Sequence, residues 1–242
     1  LMAFIFLPTN CFWGSGITKE AIYLGGFGFL AAWFWPYCYC KNYYRWPLSA
    51  LMLLVLIPLK YYYMAVFLAV LFTSIIHYRL KLGVKLQWTV LCSLLFFGVS
   101  WLHPNLNLGY VAELMKDNAA QILAASNHQA IIGLIDHENP LVWAGINFPW
   151  AVITGLYRPN LGDWGSWFQH LAVIEYFILL VLTCGRLVSL ERDQLASIDW
   201  WASMIYVIIL AGMLTLSTPN FGTLVRFKAS FLPIFAFMIL HQ

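Results

Sequence analysis

The sequence predicts an all-α fold, a polytopic transmembrane helical bundle with short re-entrant or broken helices and one long outer loop. Three observations carry that expectation. Hydrophobic residues make up 62% of the 242 and charged residues 10%, against roughly 45–50% and about 25% in soluble domains. The apolar residues gather in runs at 1–7, 20–40, 48–57, 61–77, 88–102, 168–185, 199–216 and 229–240, with polar residues clustered between them. Aromatics reach 18%, many of them at run ends, as at Trp33, Trp35, Tyr37, Tyr39, Tyr43, Tyr44 and Trp46. Such rings suit the headgroup level, with the apolar body inward and the polar edge outward.

The elements follow in chain order. The runs 20–40, 168–185 and 199–216 meet the length of a full span, about 20 residues with a range near 17–25. The run 88–102 is short and borrows a turn from Lys85-Leu86-Gln87. Residues 48–77 as one helix would be about 45 Å long, too long without steep tilt. Pro58 removes a backbone donor and crowds the preceding turn, so this stretch reads as two short helices in a hairpin with Pro58-Leu59-Lys60 at its tip. The alternative is one tilted, kinked span. Segment 103–167 is too long for a plain connection. Within it Val111–Leu123 alternates at helical spacing and suits a surface helix, and Leu141–Leu156 suits an interfacial one. The whole of 1–242 reads as one transmembrane domain, and its ends lead us to expect a longer polytopic chain.

Lys and Arg in short loops set orientation. The hairpin collects Lys41, Arg45, Arg79, Lys81, Lys85, Arg186 and Arg192 on one side, which is then cytoplasmic. Lys19, segment 103–167 and segment 217–228 fall on the outer side. The net charge of +3 is too small and scattered for nucleic acid. The five cysteines lie in or beside apolar segments, and Cys38-Tyr39-Cys40 has the wrong spacing for zinc. Asn127-His128 and Asp136-His137-Glu138 have no second ligand set at the right spacing, so neither a metal nor a cofactor is expected.

Three polar clusters carry the candidate chemistry. Thr218-Pro219-Asn220-Phe221-Gly222 is turn chemistry, followed by Arg226 and Lys228 on the outer side. Arg offers a planar fork and Lys a mobile point charge, a pair suited to a pyrophosphate; snorkelling to lipid phosphate explains the same residues. Arg158 lies in a turn before Asp163 and Trp164, and the Trp164/Trp167 pair with Asp163 suits a sugar platform, although interface anchoring also accounts for both Trp residues. Glu175 stands within the apolar run Leu171–Val181, where a carboxylate is costly and faces a cavity or a partner; Arg158, Arg226 and Lys228 are the expected partners. Lys19 and Glu20 open the first complete span, and Lys60 stands at the hairpin tip.

In order, Phe12-Trp13-Gly14-Ser15-Gly16-Ile17-Thr18-Lys19-Glu20, Lys60-Tyr61, Phe148-Pro149-Trp150, Leu156-Tyr157-Arg158-Pro159, Glu175 and Asn220 through Lys228 resemble bacterial polytopic proteins of surface-polysaccharide clusters. Those are described as O-antigen-polymerase-like or as relatives of the GT-C membrane glycosyltransferases. The resemblance spans about 12 to 235. It implies an inner-membrane protein acting at the periplasmic face on an undecaprenyl-pyrophosphate-linked glycan, with no nucleotide sugar and no cofactor. Glu175, Glu20 and Asp163 are then the catalytic candidates, and Lys19, Lys60, Arg158, Trp164, Arg226 and Lys228 the substrate-binding ones. GT-C enzymes place an acidic catalytic residue in a first outer loop, upstream of anything present here, so either a preceding segment holds it or this protein is a non-catalytic relative. The rival expectation is a non-catalytic membrane subunit, scaffold or carrier, with membrane lipids and other subunits as partners.

Overall fold

A computed structural model describes residues 7–15, 19, 21–26, 28, 30, 46–59, 63–68, 70, 107–126, 131–160, 162–163, 167–189 and 198–240. The described chain is all-α. Its helices are α1 (Pro8–Gly14), α2 (Trp46–Leu59), α3 (Leu108–Ala125), α4 (Pro140–Tyr157), α5 (Trp167–Val188), α6 (Ile198–Ser217), α7 (Phe221–Lys228) and α8 (Leu232–Leu240). Further helical residues lie at 21–26 and 63–68. An isolated antiparallel bridge between Ile131 and Asn220 supplies the extended pairing among the described residues.

Asparagine starts three of these helices. Asn107 accepts from the Gly109 N–H, Asn139 from Leu141 and Val142, and Asn220 from Gly222 and Thr223. Each satisfies backbone donors that a first helical turn leaves without intrahelical partners. Pro58 lies in the last turn of α2, and Lys60 lies outside the described residues. α6 is the central element, packing most extensively on α4 and also on α3, α7 and α8. α4 therefore belongs to the core of the bundle as well as to its surface.

Segment 131–139 crosses between the loop after α6 and α4. Ile132 N–H donates to the Pro219 carbonyl at 2.9 Å. Asn147 of α4, 2% exposed, then behaves like a strand neighbour. Its Oδ1 accepts from Ile135 N–H at 2.8 Å, and its Nδ2 donates to the Ile135 carbonyl at 2.8 Å and the Trp143 carbonyl at 2.9 Å. Farther along, Lys116 of α3 donates to the His137 carbonyl at 2.5 Å and pairs with Asp136 at 3.2 Å. The Lys116 hydrogen bond and charge hold the Asp136 carboxyl below its ordinary range. That pair is too exposed to contribute much, so Asn147 is the anchor. Asn147→Leu is expected to lower stability by about 1–3 kcal/mol, because both Ile135 backbone groups lose their partner. Protease cleavage within 131–139 should become faster; wild-type stability and cleavage would refute the anchor.

Among the described residues α6, at Trp200–Ser217, is long and apolar enough to cross a membrane. The pair α7 and α8 qualifies when taken as one broken element, with 63° between its halves. The predicted run 199–216 thus coincides with α6. The run at 229–240 becomes α8 preceded by a short polar helix.

Candidate functional site

Three short pieces of chain meet where α1, α5 and α7 approach the turn that follows α4. Arg158 caps α4, its N–H bonded to the Thr154 carbonyl at 3.0 Å. Pro159 then stops the helix, since it has no N–H to continue the ladder. The turn closes on itself: Asn160 N–H donates to Asp163 Oδ2 at 2.9 Å, and Asp163 N–H donates to the Asn160 carbonyl at 2.9 Å. This brings Asp163 against Arg158. Nε donates to Oδ2 at 3.0 Å and Nη2 to Oδ1 at 2.5 Å. Burial opposes ionisation of Asp163, but the hydrogen bonds from Arg158 and Asn160 and the guanidinium charge outweigh it, and the carboxyl is held below its usual range.

α7 supplies the next layer. Phe221, Leu224 and Lys228 form its buried stripe, at the i, i+3, i+7 spacing of one helical face. The Phe221 ring lies 4.6 Å from Arg158 Cζ. The Lys228 ammonium donates to the Arg158 carbonyl and sits 3.7 Å from the centroid of the Tyr176 ring. Lys228 is 0% exposed, and its amino group meets a carbonyl and an aromatic face. Asn220, which starts this helix, also donates to Ser126 Oγ at 2.7 Å, tying α7 to the end of α3.

Glu175 stands beside Tyr176 on α5 and is 5% exposed. Thr9 of α1 holds one carboxylate oxygen: its N–H donates to Oε2 at 2.9 Å and its hydroxyl at 2.6 Å. The Thr9 hydroxyl also lies 3.3 Å from the Tyr176 hydroxyl. Oε1 is buried with no hydrogen-bond partner among the described residues. Glu175 and Lys228 are both buried in this cluster, at a separation beyond a direct ion pair among the described residues.

The structure therefore brings Arg158, Asp163, Glu175 and Lys228 together. Arg226 is half-buried, and two residues on a helix differ by roughly 200° about the axis, so it does not share a face with Lys228. Lys19 is exposed and is not tied to the cluster. Glu20, Lys60 and Trp164 lie outside the described residues. Sequence reasoning missed Thr9, Tyr176 and Phe221. The signals were thin: a Thr-Asn pair just after Pro8, an aromatic next to Glu175, and a Phe in the turn cluster before Arg226. No protein-family model matches this chain, and no curated protein or solved structure does.

Proposed function

We propose that this chain is a multi-pass protein of the bacterial inner membrane. In this reading it binds a polyprenyl-pyrophosphate-linked glycan at the periplasmic face and transfers or polymerises the sugar. The membrane part is supported by helices that carry apolar stripes outward and turn their few buried polar side chains inward. Leu171, Ile174, Ile178 and Val181 make an exposed stripe on α5 while Glu175 and Tyr176 face inward. Leu141, Val142, Ile146, Trp150 and Ile153 do the same on α4, with Asn147 and Thr154 inward. Lipid acyl chains are the occupant that fits such a belt, because ionisable groups in a membrane face the bundle interior.

The observation that carries the chemistry is Glu175, a buried carboxylate with Oε2 clamped by Thr9 and Oε1 unengaged among the described residues. In the reaction an acceptor hydroxyl oxygen bonds to the anomeric carbon of the lipid-linked sugar. Its proton passes to Glu175 Oε1, the bond from that carbon to the pyrophosphate oxygen breaks, and polyprenyl pyrophosphate leaves. Arg158 carries the leaving charge, with Lys228 bracing its carbonyl from inside, and Arg226 and Lys19 keep their expected place on the outer side. Glu20, Lys60 and Trp164 keep their assignment to the same outer face, and Asp163 takes the supporting position described below.

The test is native mass spectrometry of protein purified in mild detergent, together with a polymer assay on Glu175→Gln. A polyprenyl-pyrophosphate glycan should co-purify with both proteins, and the variant should lose polymer by about 10²–10⁴-fold, the range for a missing acid–base group. A second reading, a non-catalytic subunit or carrier, is favoured by one observation: Asp163, the Arg158 carbonyl, Tyr176 and Thr9 answer the clustered charges internally. Bulk phospholipid alone in both preparations, or normal polymer from Glu175→Gln, would decide for that alternative.

A further inference from the structure

A guanidinium has two edges that can each grip an oxyanion, and Arg158 uses only one of them among the described residues. Asp163 occupies the side edge, Nε and Nη2, at 3.0 and 2.5 Å. Of the five N–H donors on an arginine, that leaves both on Nη1 and the second on Nη2 without a partner among the described residues. One N–H from each of Nη1 and Nη2 forms the end edge, and the other Nη1 N–H points to the Cδ side. The plane carrying them is held along its side edge and against one face, and the backbone behind it is tied down. Asp163 holds the side edge and is itself held by Asn160 N–H at 2.9 Å, the Phe221 ring packs 4.6 Å from Cζ, and Lys228 ties down the carbonyl of the same residue. The Arg158 side chain is 24% exposed against 11% for Asp163, so the accessible part of the pair belongs to the arginine.

We propose that the end edge of Arg158, Nη1 with the second N–H of Nη2, is a bidentate site for a phosphate-class oxyanion, and that Asp163 is its positioning residue. The inference rests on the glycan-lipid reading and narrows it, assigning the pyrophosphate to one edge of one side chain. Arginine grips phosphate through two parallel hydrogen bonds, and a fork already held in one orientation loses less freedom on binding. The negative charge of Asp163 weakens the attraction, whereas its geometry strengthens the fit. These two effects predict opposite signs when the charge is removed.

The experiment is calorimetric titration of inorganic pyrophosphate into the detergent-purified protein. Arg158→Lys keeps the charge and loses the fork, and its affinity should fall about 10–100-fold, the equivalent of one charge-assisted hydrogen bond of roughly 1.5–3 kcal/mol. Asp163→Asn removes a like charge, yet positioning requires weaker binding, and Asp163→Glu should restore part of the loss. Tighter binding in Asp163→Asn, or unchanged binding in Arg158→Lys, overturns the site. Should Arg158→Lys fail to fold, the wild-type protein tests the same contact: pyrophosphate should protect Arg158 from phenylglyoxal, read by mass spectrometry, and no protection overturns it. Phosphatidylglycerol nanodiscs separate the two sources of phosphate. Competition with pyrophosphate at Arg158 identifies a lipid headgroup, and no competition identifies the diphosphate. Pyrophosphate binding through Arg158 in a protein that carries no glycan lipid would keep this site and discard the wider reading. A bound glycan lipid insensitive to Arg158→Lys would do the reverse.

Discussion

Replacing Lys228 by methionine is expected to cost about 1–3 kcal/mol, the range for leaving a buried hydrogen-bonding group without its partner. In a chain of this size that is a drop of roughly 2–12 °C in melting temperature. The ammonium is completely buried, tied to the Arg158 carbonyl and seated on the Tyr176 ring. Methionine fills much of the stem's volume but withdraws a charged hydrogen bond, a cation–π contact and the positive charge that offsets Glu175. The Arg158 carbonyl loses its donor, and Glu175 keeps only the two hydrogen bonds from Thr9. Combining Lys228→Met with Glu175→Gln removes both charges, so the double variant should be more stable than the sum of the two single losses by about 1–2 kcal/mol, within the range for coupled neighbours. Thermal unfolding of the four proteins in one detergent measures this. Strict additivity would mean that the two charges do not sense each other.

What the sequence made legible follows from cost. A carboxylate in an apolar run is expensive, so Glu175 stood out before any fold was known. Long apolar runs survive as helices: 168–185 lies within α5, 199–216 within α6, and 141–156 within α4. Thr218 through Gly222 read as a turn, and Asn220 in fact starts a helix there. The partners of Glu175 were not legible. Cations were the expected partners, whereas Thr9 supplies two neutral donors from 166 residues away, and a threonine beside an apolar run carries no mark of that task. α7 was missed because eight residues that include Gly222, Arg226 and Lys228 form no apolar run. It reads as a turn with two neighbouring cations, and only the helix sends Arg226 and Lys228 to different sides. Asn147 was hidden for a related reason: a polar residue that satisfies backbone groups of a distant segment has no periodicity to betray it.

Two glycines of α4 look alike in the sequence, and their substitutions should have opposite effects. A Cβ on Gly155 would lie 2.6 Å from the Ala211 carbonyl oxygen and 2.7 Å from Thr215 Oγ1 of α6. Neither atom can retreat cheaply. One is helix backbone, and the other is fixed by its own hydrogen bond to that same carbonyl at 2.8 Å. Gly212 repeats the contact from the other helix, with the Phe148 ring filling the place its Cβ would take. Small residues at such crossings let two helix backbones approach closely. Gly155→Ala is therefore expected to cost about 1–3 kcal/mol as an overpacked contact, and Gly155→Leu at least as much as the upper end of that range. Gly145, on the same helix, has no atom within 4 Å of its Cβ position. Gly145→Ala should be neutral or stabilise the helix by up to about 1 kcal/mol. Arg158 lies just beyond Gly155 in the chain, so a displaced α4 also moves the guanidinium. Gly155→Ala should then weaken pyrophosphate binding as well as stability, while Gly145→Ala leaves binding intact. Equal effects from the two substitutions would show that α4 and α6 are not in close backbone contact and that Arg158 is placed by its own turn alone.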